Sequence, residues 1–282
     1  MNNMAHVHNK ATSFPYLKAI RSQYMAEMWK RFTALKPLIN ETIIDNDFFG
    51  LTPGRVVGMA AALKAPFEFT DNPAKVKAFM AWLRGVEDEK ILEVTQRVGR
   101  GVVAHGEWQN IYVRRSYEKG IQFAEKKLAE AGITIAVEDL RAIFNRPIHA
   151  DAIGMLYTRN FTELEGITEA MDQKMSRVLA DGLSQGRNPR VIARAMTKQV
   201  DNIGIVRART LARTEVARAQ NEATLNRYTD YGVKTVEGLL GPGPCPSGIC
   251  DDIVAGGPYP LSEAEGLFPG HPNCGCTWSP VV

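Results

Sequence analysis

The chain has 282 residues, 45% of them hydrophobic and 23% charged, which excludes disorder along its whole length, because enough apolar surface exists to offset ordering entropy. At about 100–200 residues per domain it forms one large domain or two small ones. Its 34 basic and 31 acidic side chains leave a net charge of +3, too small for bulk electrostatics to make the whole chain a nucleic-acid binder.

Residues 1–15 are polar and aperiodic and predict a flexible arm. They lack the basic-then-apolar pattern of a signal peptide, so synthesis and folding in a cytoplasm are expected. Leu17, Ile20, Tyr24, Met28, Phe32 and Leu35 recur at helical steps and predict a helix over 16–35 that Pro37 ends. Thr52-Pro53 reads as a helix start leading into residues 56–63. That run is the longest apolar one and far short of the ~20 residues a bilayer span needs, so no membrane span is expected.

Asn72-Pro73 opens a long helix carrying Val76, Phe79, Met80, Leu83, Val86, Ile91, Leu92 and Val94. Gly99, Gly101 and Gly106 break it. They lack the GKS/T of a phosphate loop. A helix over 108–128 closes at Ala131-Gly132. Residues 133–137, ITIAV, predict a short strand, and residues 137–144 a short helix. From 153 to 231 the pattern is helical, punctuated at Gly166, Gly182, Gly186 and Pro189, with Asp201 as the expected cap of the last long helix. Residues 233–240 alternate like a strand, and the rest, dense in Gly, Pro and Cys, is expected to be irregular.

The predicted fold class is therefore mainly α: a helical N-terminal and central region followed by a small irregular α+β Cys/His-rich C-terminal module. The parts expected are the arm 1–15, helical regions 16–150 and 151–232, and the module 233–282.

All four cysteines lie in the last 38 residues. Random placement would do this about 3 times in 10,000, so something local needs sulfur. Cys245 and Cys250 form one knuckle, and His271, Cys274 and Cys276 a second. Two knuckles supplying four Cys or His ligands are the donor set of a structural zinc ion. The surrounding glycines and prolines permit the tight turns that aim ligands inward. Such a site would stabilise a tail that cannot bury enough apolar surface on its own. Cys274 and either Cys276 or His271 would join Cys245 and Cys250. A disulfide across the loop, or free thiols, are the alternatives.

Residues 206–228, VRARTLARTEVARAQNEATLNRY, form the second constellation. Ala212, Val216, Ala219 and Ala223 make a small-residue stripe that lets another helix approach. Glu215, Arg218 and Glu222 are spaced for ion pairs along one face. Residues 177–231 carry ten basic and five acidic groups, whereas residues 232–282 carry one Lys against five acids. Arg207, Arg209, Arg213 and Arg218 are thus candidates for contact with DNA phosphates or an acidic partner. The alternative is a solvated helix face.

Catalytic candidates are poor. His6 and His8 sit in the arm, and His105 and His149 stand alone as satisfied polar residues. Asp251 and Asp252 read as acids in a turn. No enzymatic activity is expected.

The order of these elements resembles the phage Mu F-like head morphogenesis family, minor head proteins of tailed bacteriophages. The resemblance covers roughly residues 171–282. It rests on Thr214-Glu215, Ala219, Asn221, Ala223 and Tyr228, then a strand, then Cys245 and Cys250, then His271, Pro272, Cys274 and Cys276, and a final Pro280. Where the family usually has Cys-x2-Cys and an Arg between the last two cysteines, this chain has Cys-x4-Cys and Gly275. The resemblance implies a minor capsid protein at the portal vertex or inner head. Its partners would be the portal protein, the major capsid protein and packaged double-stranded DNA, with the virion as its location. The added C-terminal toxin domain of some members is not expected. The competing reading is a zinc-stabilised DNA-binding module without a capsid role.

Overall fold

The computed structural model describes residues 15–51, 72–93, 96–98, 101–103, 110–242 and 245–282. The arm over 1–14 and the helix expected at 56–63 lie outside them. The protein is mainly α-helical, with a small three-stranded antiparallel sheet near the C-terminus and a Cys/His-rich cluster.

In chain order the helices are α1 (Pro15–Thr33), α2 (Leu35–Asn40), α3 (Asn72–Glu87), α4 (Ile111–Glu130), α5 (Leu140–Phe144), α6 (Pro147–Ser184), α7 (Pro189–Gln199), α8 (Val206–Asp230), α9 (Ile249–Gly256) and α10 (Leu261–Ala264). Wider π-turns follow α2, α3 and α7 at Glu41–Asp45, Asp88–Leu92 and Val200–Ile205. The strands are β1 (Gln96–Val98), β2 (Gly101–Val103), β3 (Thr235–Leu239), β4 (Tyr259–Pro260) and β5 (Thr277–Val281).

Several expectations change. Pro37 does not end the first helical stretch, because it sits in the first turn of α2, where its missing N–H costs nothing. The segment ITIAV is not a strand. Among the described residues no strand pairs with it, and an isolated strand leaves its backbone groups unbonded. Gly166 and Gly182 do not interrupt α6. A Cβ at Gly182 would lie 2.8 Å from Ile192, so that glycine lets α6 and α7 pack closely. Asp201 caps nothing; it lies in the π-turn and pairs with Lys36 Nζ at 2.5 Å. The last 40 residues are not irregular: α9, β4, α10 and β5 lie there, and Asp251 and Asp252 occupy the first turn of α9.

The chain divides into two compact units that do not follow chain order. Unit 1 is Met1–Met25, Gln109–Asn160 and Thr210–Val282; unit 2 is Ala26–Trp108 and Phe161–Arg209. The divisions expected at 150 and 232 do not coincide with these, because α1, α6 and α8 each run on through a boundary.

Within unit 2, Phe48, Phe49, Phe79 and Trp82 meet edge-to-face or tilted at centroid distances of 5.0–5.8 Å. Arg31 ties its helix to the carbonyl of Ile91.

Within unit 1, α4 packs on α8 along the small-residue stripe, and Ala212, Val216, Ala219 and Ala223 are all fully buried. Ser116 Oγ donates to the carbonyl of Val216, and Thr224 Oγ1 to that of Gly120. A Cβ at Gly120 would fall 2.6 Å from that of Ala223. Gly120→Ala is therefore expected to cost about 1–3 kcal/mol by overpacking. A chemical-denaturation midpoint unchanged by the substitution would refute that contact.

The sheet runs β4-β3-β5 with both pairings antiparallel. Its register sets Gly238 opposite Trp278, and Trp278 is fully buried against Phe268 at 4.6 Å. One apolar core joins Ala124, Leu128, Leu225 and Tyr228 of the helices to Val236, Phe268, Trp278 and three cysteines. The module 233–282 is thus no separate body, because it shares its core with α4 and α8.

Candidate metal centre

The first knuckle explains the four-residue spacing. After Cys245 the chain turns, with the amide of Gly248 donating to the carbonyl of Cys245 at 3.3 Å. Gly248 has φ +72°, a left-handed conformation that glycine adopts without strain. The helix α9 then starts at Ile249 and carries Cys250 inward on its first turn, fully buried. Two more residues than a Cys-x2-Cys turn are consumed by starting a helix.

The second knuckle turns at Pro272-Asn273, where the amide of Cys274 donates to the carbonyl of His271 at 3.1 Å. Asn273 takes the left-handed conformation at φ +66°, which Asn tolerates better than most side chains. The amide of Cys276 points at Cys274 Sγ at 3.4 Å, and that of Gly241 at Cys276 Sγ at 3.3 Å. Side chains of α8 hold this knuckle in place. Asn221 Nδ2 donates to the carbonyl of Cys276 at 3.0 Å, Gln220 Nε2 to Thr277 Oγ1 at 2.9 Å, and the Tyr228 hydroxyl to the carbonyl of Trp278 at 3.1 Å. The amide of Asn273 donates to Thr214 Oγ1 at 3.3 Å.

The five expected donors come together as two triads that share Cys250. Cys245, Cys250 and His271 offer ligand atoms within 4.8 Å of one another, and so do Cys250, Cys274 and Cys276. Cys250, Cys274 and Cys276 are buried, and no cysteine is disulfide-bonded. The Sγ atoms of Cys250 and Cys274 lie 3.5 Å apart. Tetrahedral coordination at about 2.3 Å per Zn–S bond sets a sulfur–sulfur edge of about 3.8 Å, close to that separation. These groups can hold a metal ion.

Their electrostatics point the same way. The hydrogen bond from Cys276 lowers the Cys274 thiol to about 5, so it is ionised at neutral pH. Burial, together with the Cys274 charge, pushes Cys250 up to about 12. The hydrogen bond to Cys274, with burial, pushes Cys276 up as well. The half-exposed Cys245 is lowered to about 6, chiefly by Ser247. The thiols thus cannot all ionise together without a cation. A bound dication would remove that conflict, because coordination holds each thiol as thiolate. Arg21 adds positive charge from outside, its Nη2 donating to the carbonyl of Cys274 at 2.9 Å.

No family model matches the chain, and no curated protein and no solved structure matches it either.

The candidate arginines do not act as one face. Arg213 Nη1 reaches Asn273 Oδ1 at 3.4 Å, beside the second knuckle. Arg218 pairs with Glu215 at 3.4 Å. Glu215 is not on a solvated face: it is 2% exposed and also lies 3.5 Å from Arg159. Arg207 and Arg209 are exposed on the first turn of α8, with no ion pair to a described acid.

A polar assembly in unit 1 gave no signal in the sequence. Arg227, with no exposed surface, donates to Glu125, Glu138 and Asp230 at 2.7–3.1 Å and lies over the Tyr231 ring at 4.9 Å. His149, also fully buried, sits 3.0 Å from Asp230 and 2.8 Å from the Tyr117 hydroxyl. The donor pattern fixes its tautomer. Asp230 only accepts, so Nε2 carries the proton; Nδ1 then accepts from Tyr117, whose oxygen accepts from Asn226. His149 is thus a buried polar residue with both ring nitrogens hydrogen-bonded.

Proposed function

We propose that this chain is a minor capsid protein of a tailed bacteriophage, an assembly component of the head without catalytic turnover. In this reading it contacts the portal protein and major capsid protein at the portal vertex or inner head. One observation carries the proposal: the separated residues behind the family resemblance meet in space. Thr214, Asn221 and Tyr228 of α8 each hydrogen-bond the segment 273–278, some 50–59 positions away. The motif therefore has a physical reason to occur as a set, because its helix and its closing knuckle bind each other.

The metal in this reading is a single structural zinc ion. Cys250 and Cys274 are two of its ligands, and the two remaining positions fall to two of Cys245, His271 and Cys276. Soft thiolates with an imidazole favour zinc over hard cations, and four protein donors that close the tetrahedron leave no open position, which makes the role structural. Elemental analysis of protein purified without chelator should find one zinc per chain. A lysate made without this chain should contain few or no infectious heads. Normal numbers of infectious heads would overturn the assembly role, and absence of metal would overturn the zinc assignment alone.

The second reading, a DNA contact, is favoured by Arg207 and Arg209, whose charges are not neutralised by a described acid. In that case DNA affinity of the purified chain falls steeply with salt.

A further inference from the structure

The outer side of α7 in unit 2 carries cations alone. Arg190, Arg194 and Lys198 follow one another at one-turn steps along it, and Arg187 precedes its cap; all four are exposed. The inner side, with Ile192, Ala193 and Met196, is buried. Several other helical cations find an acid on their own helix: Arg31 pairs with Glu27, Lys127 with Glu130 and Arg218 with Glu215. The sequence of α7 contains no acid, and neither its cations nor Arg187 makes an ion pair with a described acid. Arg190 stands at the second helical position, after Asn188 and Pro189. The helix dipole is positive at that end and favours acids there, so Arg187 and Arg190 work against it. Their placement stabilises α7 only when an anion lies alongside.

We propose that this face of α7 binds the phosphate backbone of double-stranded DNA without reading its sequence. Charge complementarity names the partner. The stripe from 190 to 198 spans ~12 Å at about 1.5 Å per residue, over which one strand of a duplex carries roughly three or four phosphates. Three of the four cations are arginine, whose planar fork matches phosphate oxygens. An acidic protein surface fits less well. Protein interfaces centre on buried apolar and aromatic anchors, and the large apolar side chain exposed on α7 is Val191 alone. Base readout is not expected, because the two amide side chains beside the stripe are engaged. Asn188 Oδ1 accepts from the amide of Arg190 and Gln185 Oε1 from Arg187 Nε, each at 2.9 Å. The inference rests on the DNA reading above and extends it from the first turn of α8 to a separate helix; it does not depend on the head or zinc readings.

The test uses the full chain and a short mixed-sequence duplex, with binding followed by fluorescence anisotropy between about 50 and 200 mM salt. The wild type should bind, with log affinity falling linearly against log salt. Arg190→Gln, Arg194→Gln and Lys198→Gln combined should weaken binding at least tenfold and make the slope shallower by about 2–3, since each phosphate contact contributes roughly 0.9. Glutamine is a good helix former and the three positions are exposed, so the variant should fold, as circular dichroism would verify. Arg190→Lys with Arg194→Lys keeps the charge and should retain the slope. Independently of any variant, bound duplex should protect Arg187, Arg190 and Arg194 from phenylglyoxal. A wild type without affinity for the duplex would overturn this inference together with the DNA reading. A wild type that binds, with an unchanged slope in the triple variant or with protection confined to Arg207 and Arg209, would overturn this inference alone. Tighter binding of poly-L-glutamate than of duplex at equal charge would assign the face to an acidic protein instead.

Discussion

Cys250→Ser is expected to abolish metal retention and to lower the stability of unit 1 as a whole. Cys250 is the one donor common to both triads, so its loss leaves neither with three ligands. Cys245→Ser, at the half-exposed end, leaves Cys250, Cys274 and Cys276 together and should have the smaller effect. Structural zinc sites contribute roughly 10–16 kcal/mol of apparent binding free energy in small peptides at neutral pH. Even half of that is comparable with the roughly 5–15 kcal/mol by which a typical domain is stable. The consequence should spread beyond the tail. Cys250, Cys274 and Cys276 share a core with Leu128, Leu225, Tyr228 and Trp278, so releasing the knuckles uncovers α4 and α8. Limited proteolysis should cut the variant within 233–282, and thermal unfolding should shift downward. A variant that keeps one metal per chain and the wild-type protease pattern would sink the prediction. So would wild-type protein with no metal and two blocked thiol pairs.

Arg227→Met should cost about 3 kcal/mol, because it strands Glu125, Glu138 and Asp230 around a site with no exposed surface. Breaking a buried pair typically costs 3–5 kcal/mol. The lower end applies because Glu125 and Glu138 are about a quarter exposed and Arg146 still reaches Glu138 and Asp230. Arg227→Lys keeps the charge but loses the fork that serves three acids, so an intermediate loss is expected. Denaturant midpoints measure both, and an Arg227→Met midpoint equal to wild type would show the assembly to be energetically neutral.

The same assembly sets an acid limit. Burial, partly offset by Asp230, holds the His149 imidazole below its usual value. A depressed histidine favours folding while neutral, so its contribution is complete above about pH 6.5 and declines as pH falls below that. Burial alone would raise the Asp230 carboxyl, but hydrogen bonds from His149 and Arg227 outweigh it and hold it below the usual range. Its contribution is present above about pH 4 and is lost as pH falls through the folded value. Stability should therefore drop in two stages on the acid side. The lower stage should shrink in Arg227→Met.

The helical class is legible in the sequence, since apolar residues at three- and four-residue steps are a local pattern that any packing must satisfy. Leu17, Ile20, Tyr24, Met28, Phe32 and Leu35 are all buried as that spacing requires. It also located the candidate centre, because four cysteines confined to the C-terminal knuckles are visible without coordinates. How the donors meet depends on contacts between segments far apart in the chain. Cys250 belongs to both triads because α9 starts one residue before it, and nothing in Cys-x4-Cys announces that helix. The structure likewise separated Arg218, paired with Glu215 within unit 1, from the exposed Arg207 and Arg209. A count of charges along one helix cannot make that distinction, because it does not record which side of the helix other segments cover. The burial of Arg227 against Glu125 and Glu138, 102 and 89 positions away, and the absence of a strand at ITIAV have the same origin. Each depends on which distant segment is or is not alongside, and periodicity within a segment carries no record of that.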